Sequence, residues 1–296
     1  MKNRKVITFI AYLWCFAILG SYSVWNFGSR FITPVNQPIS QPESGVEYEK
    51  VVISSASGTE LHGWLFPGNV DMPVIAVFHG IGSNKGKMLP RVKLLSEAGY
   101  TVVVVDFSAH GESIAEKITF GKQEAQDVDA TIKYIRSRFA ESKIGVIGIS
   151  MGGAATLLSE SKRDIDALII EGVYAKFIYA VRNRMALKLG ILEPAITPLM
   201  VVQLEPRAGA RLDELQPITQ IKEYQGALYV LGGKDDMKTK EKETLSFYKE
   251  ANEPKQLWIV DGAKHEDLYN FDSQKYSENV LRFFQRFLLN EEISEK

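Results

Sequence analysis

The sequence predicts an α/β fold with a mostly parallel sheet of about eight strands and helices on both faces. Strand-like and helix-like patterns alternate from Val46 onward, and the first two strands read as a hairpin. Several later strands are continuous apolar runs, which is typical of strands buried on both faces. The chain has 296 residues, 45% of them hydrophobic and 24% charged, so it can bury one large core or two small ones.

The predicted elements follow one another without an internal repeat. An opening hairpin, YEKVVISS and TELHGWLF, turns at residues 56–58, and the later strands are PVIAVFHG, YTVVVVDF, KIGVIGIS, IDALIIEGV, GALYVLGG and KQLWIVDG. Between them lie helical patterns at 87–98, KQEAQDVDATIKYIRSRF, MGGAATLLSES and KEKETLSFYKEA, and SENVLRFFQRFLL closes the chain. In such folds ligands bind beyond the carboxyl ends of the strands, so the residues that end each strand are the candidate site.

Residues 1–25 predict a cytoplasmic basic flank and a transmembrane anchor. Lys2, Arg4 and Lys5 precede twenty residues, Val6–Trp25, that carry no charge, and a helix of that length spans about 30 Å. The basic flank should stay in the cytoplasm, which places the chain after Trp25 outside it. Two alternatives remain: cleavage of a signal peptide near residues 21–23, giving a secreted protein, or an apolar helix of a soluble core.

The composition of the rest of the chain excludes several classes of protein. Residues 26–45 contain three prolines and many small polar residues, which predicts a linker before a folded domain at 46–296. The net charge is −1 and no long basic run occurs, so no nucleic-acid partner is expected. Cys15 is the only cysteine, which excludes an internal disulfide and a cysteine-based metal cluster. We expect no metal and no cofactor, and the oligomeric state stays open.

Five predicted strands end in residues that could do chemistry. In chain order these ends are His79-Gly80-Ile81-Gly82, Asp106 with His110 shortly after it, Ser150 within GISMGG, Asp235-Asp236, and His265 on the last loop. The order therefore runs from a serine through a carboxylate to a histidine across the second half of the chain.

From about residue 46 to residue 289 the sequence resembles the alpha/beta-hydrolase superfamily. GISMGG resembles its nucleophile elbow, which implies that Ser150 is the nucleophile, at a helix N-terminus where the dipole favours negative charge. A glycine-rich turn used only for close packing is the alternative, and it leaves the acid and base unexplained. The resemblance also implies that the backbone N–H groups of Ile81 and Met151 form the oxyanion hole.

The predicted general base is His265. Of the four histidines it alone follows the acid and lies on the loop after the last strand. A neutral imidazole near pH 7 can accept the serine proton and return it to the leaving group. His62 lies in the opening hairpin, where packing or exposure is expected. The resemblance implies that His79 and His110 shape and brace neighbouring loops.

The acid is one of two neighbouring aspartates. Relatives that this chain resembles often have a G-x-x-D-x-x-T pattern after the strand, and Gly233–Thr239 match it with Asp236 as the acid. Counting from Gly232 selects Asp235 instead. We favour Asp236, whose carboxylate would fix the imidazole tautomer and stabilise the imidazolium.

A small cap of two helices is predicted at about residues 174–224, where the regular alternation stops. The alpha/beta-hydrolase superfamily inserts a cap at this position. Apolar residues of the segment could line an acyl pocket, contact the bilayer or pack on the sheet. Its arginines could meet an anionic substrate or form a solvated face. LDELQPITQI resembles compact-cap relatives of the prolyl-oligopeptidase-like and serine-aminopeptidase-like branches, which include esterases, acyl hydrolases and peptidases.

The predicted function is therefore that of a membrane-anchored serine hydrolase. It would cleave a small-molecule ester or related acyl bond through an acyl-enzyme. A serine peptidase of the same fold is the first alternative, although no recognition site for a peptide terminus is identifiable. A catalytically silent, membrane-tethered binding domain is the second, and the apparently intact triad argues against it. Fold class does not choose among these substrates.

Overall fold

The computed structural model describes the backbone of residues 2–265 and 268–290. Within the first helix the description leaves out the side chains at positions 2–6, 10, 11, 13, 16, 17, 24 and 27.

One sheet of eight strands forms the centre of the molecule, and its spatial order is β1-β2-β4-β3-β5-β6-β7-β8. The hairpin strands β1 and β2 pair antiparallel, as do β2 and β4, and all other pairs are parallel. The predicted mostly parallel sheet is confirmed. The strands are β1 (Glu49–Ser54), β2 (Glu60–Phe66), β3 (Val74–Phe78), β4 (Thr101–Val105), β5 (Ile144–Ile149), β6 (Ala167–Glu171), β7 (Ala227–Gly233) and β8 (Lys255–Val260).

Helices cover both faces of the sheet, also as predicted. The first seven are α1 (Lys2–Ile32), α2 (Leu89–Glu97), α3 (Lys122–Arg138), α4 (Met151–Leu158), α5 (Phe177–Leu189), α6 (Glu193–Ala208) and α7 (Pro217–Gln220). The last three are α8 (Glu241–Glu250), α9 (Leu268–Phe271) and α10 (Ser273–Leu288). Helices α2 and α10 pack on one face of the sheet, whereas α3, α4 and α8 pack on the other.

The apolar strands explain why the core has two layers. Every side chain of β3 and β4 is buried, because Val, Ile, Ala and Phe point alternately to the two faces. One cluster includes Val128 of α3 and Phe247 of α8, and the other includes Leu95 of α2 and Phe284 of α10. The central strands of the sheet therefore lie between two apolar helical layers.

The predicted linker at 26–45 is partly wrong, because α1 continues to Ile32. The reason is tertiary: Gly28 lies against the Gln203 side chain, and the Arg207 guanidinium stacks on Trp25 at 4.2 Å from the ring centroid. Helix α6 thus stabilises a stretch whose composition alone favours a linker.

The predicted membrane anchor falls within α1. Some side chains of Val6–Trp25 lie outside the described residues, and those described with large apolar groups are exposed: Ile7, Phe9, Tyr12, Trp14, Ile18, Leu19, Tyr22 and Trp25. Among the residues that the structure describes, one stretch, Phe177–Ala208, is long and apolar enough by length and composition to cross a membrane. That stretch contains α5 and α6, which occupy the segment predicted to be the cap.

Helices α5 and α6 pack over the carboxyl edge of the sheet. Met185, Met200 and Leu204 are almost fully buried beneath them. Glu243 of α8 attaches the segment by accepting hydrogen bonds from the Ala175 amide at 3.0 Å and the Asn183 side chain at 2.9 Å. Two cap helices of this kind match the length that the sequence predicts.

Candidate active site

The register of the sheet brings the predicted site residues to one edge. Strands β3 and β5 are neighbours with Phe78 opposite Gly148, so the loop after β3 meets the turn after β5. Strands β7 and β8 are neighbours with Gly233 opposite Val260, so their loops also meet. The result is one groove whose lining includes Gly80, Ile81, Ser150, Asp236 and His265.

Ser150 lies at a sharp turn between β5 and α4. Its φ of 50° and ψ of −111° are outside the helical and extended regions, a strained conformation for a residue with a β-carbon. The Ser150 amide donates to the Glu171 carbonyl at 2.7 Å, and its carbonyl accepts from Ala154 at 3.1 Å. These bonds hold the turn, and only 7% of the residue surface is exposed. A strained, buried serine that begins a helix is typical of a nucleophile elbow.

Two glycines make this turn possible. A β-carbon at Gly148 would lie 2.5 Å from Gly153 Cα, and one at Gly152 would lie 2.4 Å from the Phe78 carbonyl oxygen. Both contacts are with backbone, which cannot move aside as a flexible side chain can. The sequence pattern around Ser150 therefore reflects steric need at both positions.

Asp236 and His265 form a direct hydrogen bond. His265 Nδ1 lies 2.7 Å from Asp236 Oδ2, and the carboxylate side chain is only 2% exposed. The other carboxylate oxygen accepts from the amides of Lys238 at 2.7 Å and Thr239 at 2.8 Å. Because a carboxylate accepts, Nδ1 is the protonated ring nitrogen and Nε2 is left as a base. Asp236 therefore orients the imidazole from a rigid loop.

Asp235 does not take part in this contact. Its side chain is exposed, and its amide donates to the Ala263 carbonyl at 2.9 Å. That bond joins the loop after β7 to the loop carrying His265, so Asp235 positions backbone while Asp236 supplies the carboxylate. Between the two aspartates that the sequence leaves open, the geometry favours Asp236.

Ile81 and Met151 both line the pocket that contains Ser150. Met151 begins α4, so its amide precedes the first helical hydrogen bond, which is made by Ala154. Within the described residues, the Ile81 amide has no protein acceptor. Gly80 comes so close that a β-carbon there would lie 3.3 Å from Ser150 Cβ. Two donors flanking a serine oxygen are the arrangement an oxyanion hole needs.

His79 and His110 hold the loop after β3 in place. His79 Nδ1 lies 2.8 Å from the Gly80 carbonyl, and its Nε2 accepts from the Phe107 amide at 3.1 Å. His110 Nε2 accepts from the Gly82 amide at 3.2 Å. Burial lowers the pKa of His79 to about 3, with a further contribution from His110, and burial also lowers the pKa of His110. Both rings are thus neutral structural groups, as the resemblance implied.

Asp106 is also structural. It forms a buried ion pair with Lys85, Nζ to Oδ2 at 2.6 Å, and accepts the Lys85 amide at 2.7 Å. Its oxygen Oδ2 accepts the Glu112 amide at 2.9 Å. These bonds shape the loops after β3 and β4 beneath the site. His62, on β2, pairs with Val52 in the hairpin.

A second buried ion pair supports the serine turn from below. Arg91 of α2 donates to both oxygens of Glu171, at 2.8 and 3.1 Å, and Tyr276 of α10 also hydrogen-bonds that carboxylate. Glu171 ends β6, and its carbonyl holds the Ser150 amide. Helices on one face of the sheet are in this way connected to the serine turn.

A small, mostly apolar pocket opens beside Ser150. Its walls come from the cap helix α5, the end of α1 and two separate loops: Phe31, Phe120, Tyr174, Phe177, Ala180 and Val181. Sequence reasoning placed an acyl pocket only within the cap and missed Phe31 and Phe120. Neither residue belongs to a motif, and Phe31 lies in the predicted linker, so no sequence signal identifies them.

The groove around the three candidate residues is polar and carries several cations. Lys87, Arg184, Lys238 and Lys264 line it together with Glu171 and Asp236. Burial lowers the pKa of Arg184, while the negative charge of Asp236 opposes that shift. Among the described residues, no group of three or more histidine, cysteine or carboxylate side chains could hold a metal ion.

Comparisons with known proteins identify chains similar to this one. Residues 72–214 match the family model described as serine aminopeptidase, S33. An uncharacterized protein of Bacillus subtilis (strain 168), YqkD, is 24% identical over 247 residues, covering 81% of each chain.

Solved structures similar to this chain include an esterase and a peptidase. The Pyrococcus furiosus esterase Pf2001 superposes with a TM-score of 0.71 at 24% identity, covering 86% of this chain and 99% of the esterase. The Pyrococcus horikoshii acylaminoacyl peptidase superposes with a TM-score of 0.62 at 18% identity, covering 84% of this chain and 43% of that one. At these identities the likeness establishes the fold.

Proposed function

Because the chain has the fold of the alpha/beta hydrolases, we propose that it is a serine hydrolase that cleaves an ester or related acyl bond through an acyl-enzyme on Ser150. The observation that carries the proposal is the Asp236–His265 hydrogen bond in the groove that contains the strained Ser150 turn. A structural serine would need neither the strain nor a carboxylate-oriented imidazole beside it.

The proposed reaction uses three groups in sequence. His265 Nε2 takes the Ser150 proton as the serine oxygen attacks the carbonyl carbon, and Asp236 stabilises the imidazolium. The Ile81 and Met151 amides stabilise the negative charge that develops on the carbonyl oxygen. The imidazolium then protonates the leaving group. In the second half of the reaction His265 takes a proton from water as the water attacks the acyl-enzyme, and returns it to the Ser150 oxygen as the acid product leaves.

The shape of the site favours an ester with a short or medium apolar acyl group. The acyl group fits the apolar pocket beside Ser150, and the leaving group lies in the polar groove. The similar protein from Pyrococcus furiosus is named an esterase, which supports ester cleavage as the proposed reaction. The peptidase reading is supported by the S33 family model and by the second relative's name, although no built site for a peptide terminus stands out.

We also propose that α1 anchors the protein in the membrane. The amino terminus would then lie in the cytoplasm and the catalytic domain outside it. Twenty uncharged residues after a basic flank support this placement, as do the exposed apolar side chains of α1. Cleavage after a signal peptide remains the alternative. Cleavage near residues 21–23 would leave the contacts that join Trp25, Gly28 and Ser29 to α6 in place.

A fluorophosphonate probe tests the proposed chemistry. The full-length protein should be labelled covalently, and labelling should be lost in Ser150→Ala and strongly reduced in His265→Ala. Activity against esters graded by acyl length, with peptides and amides alongside, then separates the candidate functions. Folded protein that stays unlabelled would support the silent binding domain, and cleavage confined to peptides would support the peptidase.

A further inference from the structure

The outer surface of the cap helix α6 is mostly apolar. Its exposed positions are all uncharged and mostly apolar: Pro194, Ala195, Pro198, Leu199, Val202 and Pro206. Its buried positions include Glu193, Thr197 and Gln203. A helix on the surface of a water-soluble domain normally shows the opposite pattern, with polar residues outward.

The apolar side of α6 extends into the preceding turn. Ile191 and Leu192 are 95% and 58% exposed, and Leu199 and Val202 are 54% and 73% exposed. At 100° per residue, all these positions fall on one side of the helix. We call the set Ile191, Leu192, Pro198, Leu199 and Val202 the outer cap face. A continuous exposed apolar surface of this kind needs a partner.

Helix α1 adjoins α6 directly. Arg207 of α6 donates to the Trp25 carbonyl at 3.1 Å and to the Ser29 hydroxyl, and its guanidinium stacks on the Trp25 ring. A β-carbon at Gly28 would lie 2.7 Å from Gln203 Oε1, so the two helices touch there. Beyond this contact, α1 exposes Ile18, Leu19 and Tyr22. The apolar surface of α1 therefore begins at the cap.

We propose that the outer cap face lies in the interfacial layer of the same bilayer in which α1 is anchored, so that the acyl pocket opens beside the lipid. This inference rests on the proposed membrane anchor. Continuity with α1 favours a lipid surface over a second protein chain, because α1 keeps the cap within reach of one bilayer. An amphipathic helix with its apolar face in lipid lies in the plane of the interface.

The backbone of α6 places it at the interface and not across the bilayer. Pro198 and Pro206 have no N–H, so the carbonyls of Pro194 and Val202 lack their helical donors. Such carbonyls are costly in hydrocarbon, whereas water in the headgroup layer can satisfy them. The segment that ends in α6 also contains Arg182, Arg184 and Lys188, and its helix is interrupted at Gly190, where φ is +54°.

The position of Phe31 connects this surface to the chemistry. Phe31 ends α1 and lines the pocket beside Ser150. The anchor thus forms part of the wall that would hold an acyl group. A substrate that partitions into lipid, an amphiphilic ester, can enter the pocket with its acyl chain first and without passing through bulk water. The substrate class that this geometry fits is an ester presented from a membrane.

Fluorescence at a single cysteine tests the location of the outer cap face. Full-length protein carrying Cys15→Ser and Val202→Cys is labelled with an environment-sensitive fluorophore and reconstituted in phosphatidylcholine vesicles. We expect blue-shifted emission and quenching by lipids spin-labelled near the headgroup. The matched control is Val70→Cys, another highly exposed valine, in the loop before β3 at the opposite edge of the sheet. Its probe should show water-like emission and no lipid quenching.

Three outcomes would overturn the proposal. One is water-like, unquenched emission at residue 202. Another is a blue shift without lipid quenching but with efficient crosslinking between Val202→Cys chains, which would assign the face to a second copy. The third is equal quenching at residues 202 and 70, which would mean that the domain adsorbs without orientation. None of these readouts depends on Ser150. A negative result would therefore overturn the proposed membrane contact without bearing on the proposed hydrolase activity.

Activity provides a second, independent arm. Leu199→Glu with Val202→Glu should lower kcat/KM severalfold for a long-chain ester dispersed in phosphatidylcholine vesicles. Hydrolysis of a water-soluble acetate ester should be unchanged, because both residues are exposed and outside the pocket. Equal activity of the variant and the parent protein on the vesicle substrate would contradict membrane presentation.

Discussion

At the scale of residues, two adjacent aspartates differ in whether their carboxylate contacts the proposed base, His265. Asp236 hydrogen-bonds His265, whereas Asp235 is exposed and bonds through its backbone. We predict that Asp236→Asn lowers kcat by about 10³- to 10⁴-fold, because an amide in place of the carboxylate favours the wrong imidazole tautomer. Steady-state hydrolysis of a short-chain ester measures the loss.

Asp235→Asn is the matched control for this prediction, since it keeps the backbone bond to Ala263. We expect its kcat within a factor of about three of the parent enzyme, as for a surface substitution away from the site. A large loss in Asp235→Asn with little loss in Asp236→Asn would move the acid one residue back.

Buried His79 predicts how stability depends on pH. Its folded pKa, about 3, is lower than its ordinary value of 6.5, so between these pH values the unfolded chain binds the proton more readily. The stability that depends on neutral His79 is complete above about pH 6.5 and falls as the pH decreases toward 3. The free energy of unfolding should fall by up to about 1.4 kcal/mol per pH unit from this group.

Denaturant unfolding of the protein between pH 4 and pH 7 measures this slope. His79→Asn removes the titrating group, so the variant should be less stable at neutral pH but should lose less stability on acidification. An unchanged slope in His79→Asn would mean that other groups, such as His110, carry the dependence.

At the scale of elements, α5 and the loops around it set the size of the acyl pocket. Burying each CH₂ contributes about 0.8 kcal/mol, which corresponds to about a four-fold gain in kcat/KM while apolar wall remains. We predict a rise over the first few acyl carbons and then a plateau, because the pocket beside Ser150 is small. Carbons beyond it would remain in lipid and gain nothing further.

Val181 of α5 lines this pocket and offers a direct test. Val181→Phe should remove the rise for longer acyl chains while acetyl-ester hydrolysis stays measurable, because the larger ring fills the far end of the pocket. Val70→Phe, in an exposed loop, is the control and should keep the parent profile. A steady climb of kcat/KM to long-chain esters would contradict the pocket assignment.

At the scale of the whole molecule, the proposed topology predicts that the carboxyl terminus lies outside the cytoplasm. A reporter enzyme that is active only in the exported compartment, fused after Lys296, should be active, and alkaline carbonate should leave the protein in the membrane fraction. The uncharged run after a basic flank is the physical reason. Release of a chain that begins near Val24 would establish cleavage instead.

The sheet, its opening hairpin and the order of the strand ends could be predicted because they depend on local patterns. Continuous apolar runs such as Val74–Phe78 specify buried strands, and the glycines around Ser150 are needed by a turn of a few residues. The nucleophile, the base and the two oxyanion amides were all named from such patterns together with the family resemblance. In the structure Ser150, His265 and Ile81 line one groove, and Met151 lines the pocket beside Ser150.

The features that sequence reasoning missed or left open depend on contacts between distant parts of the chain. Helix α1 continues to Ile32 because residues about 180 positions away, on α6, pack against it. The choice between Asp235 and Asp236 depends on which carboxylate faces a loop that follows a different strand. A local sequence pattern does not specify contacts between residues that are so far apart in the chain.

The sequence by itself determined the fold class and the chemistry available at the strand ends, because periodicity, turn residues and chain order are properties of neighbouring residues. Only the tertiary structure decided which aspartate meets the histidine, which side of α6 faces outward, and that Phe31 closes the acyl pocket. These contacts depend on how separate elements pack against one another, and that packing depends on side chains from the whole chain filling one close-packed interior.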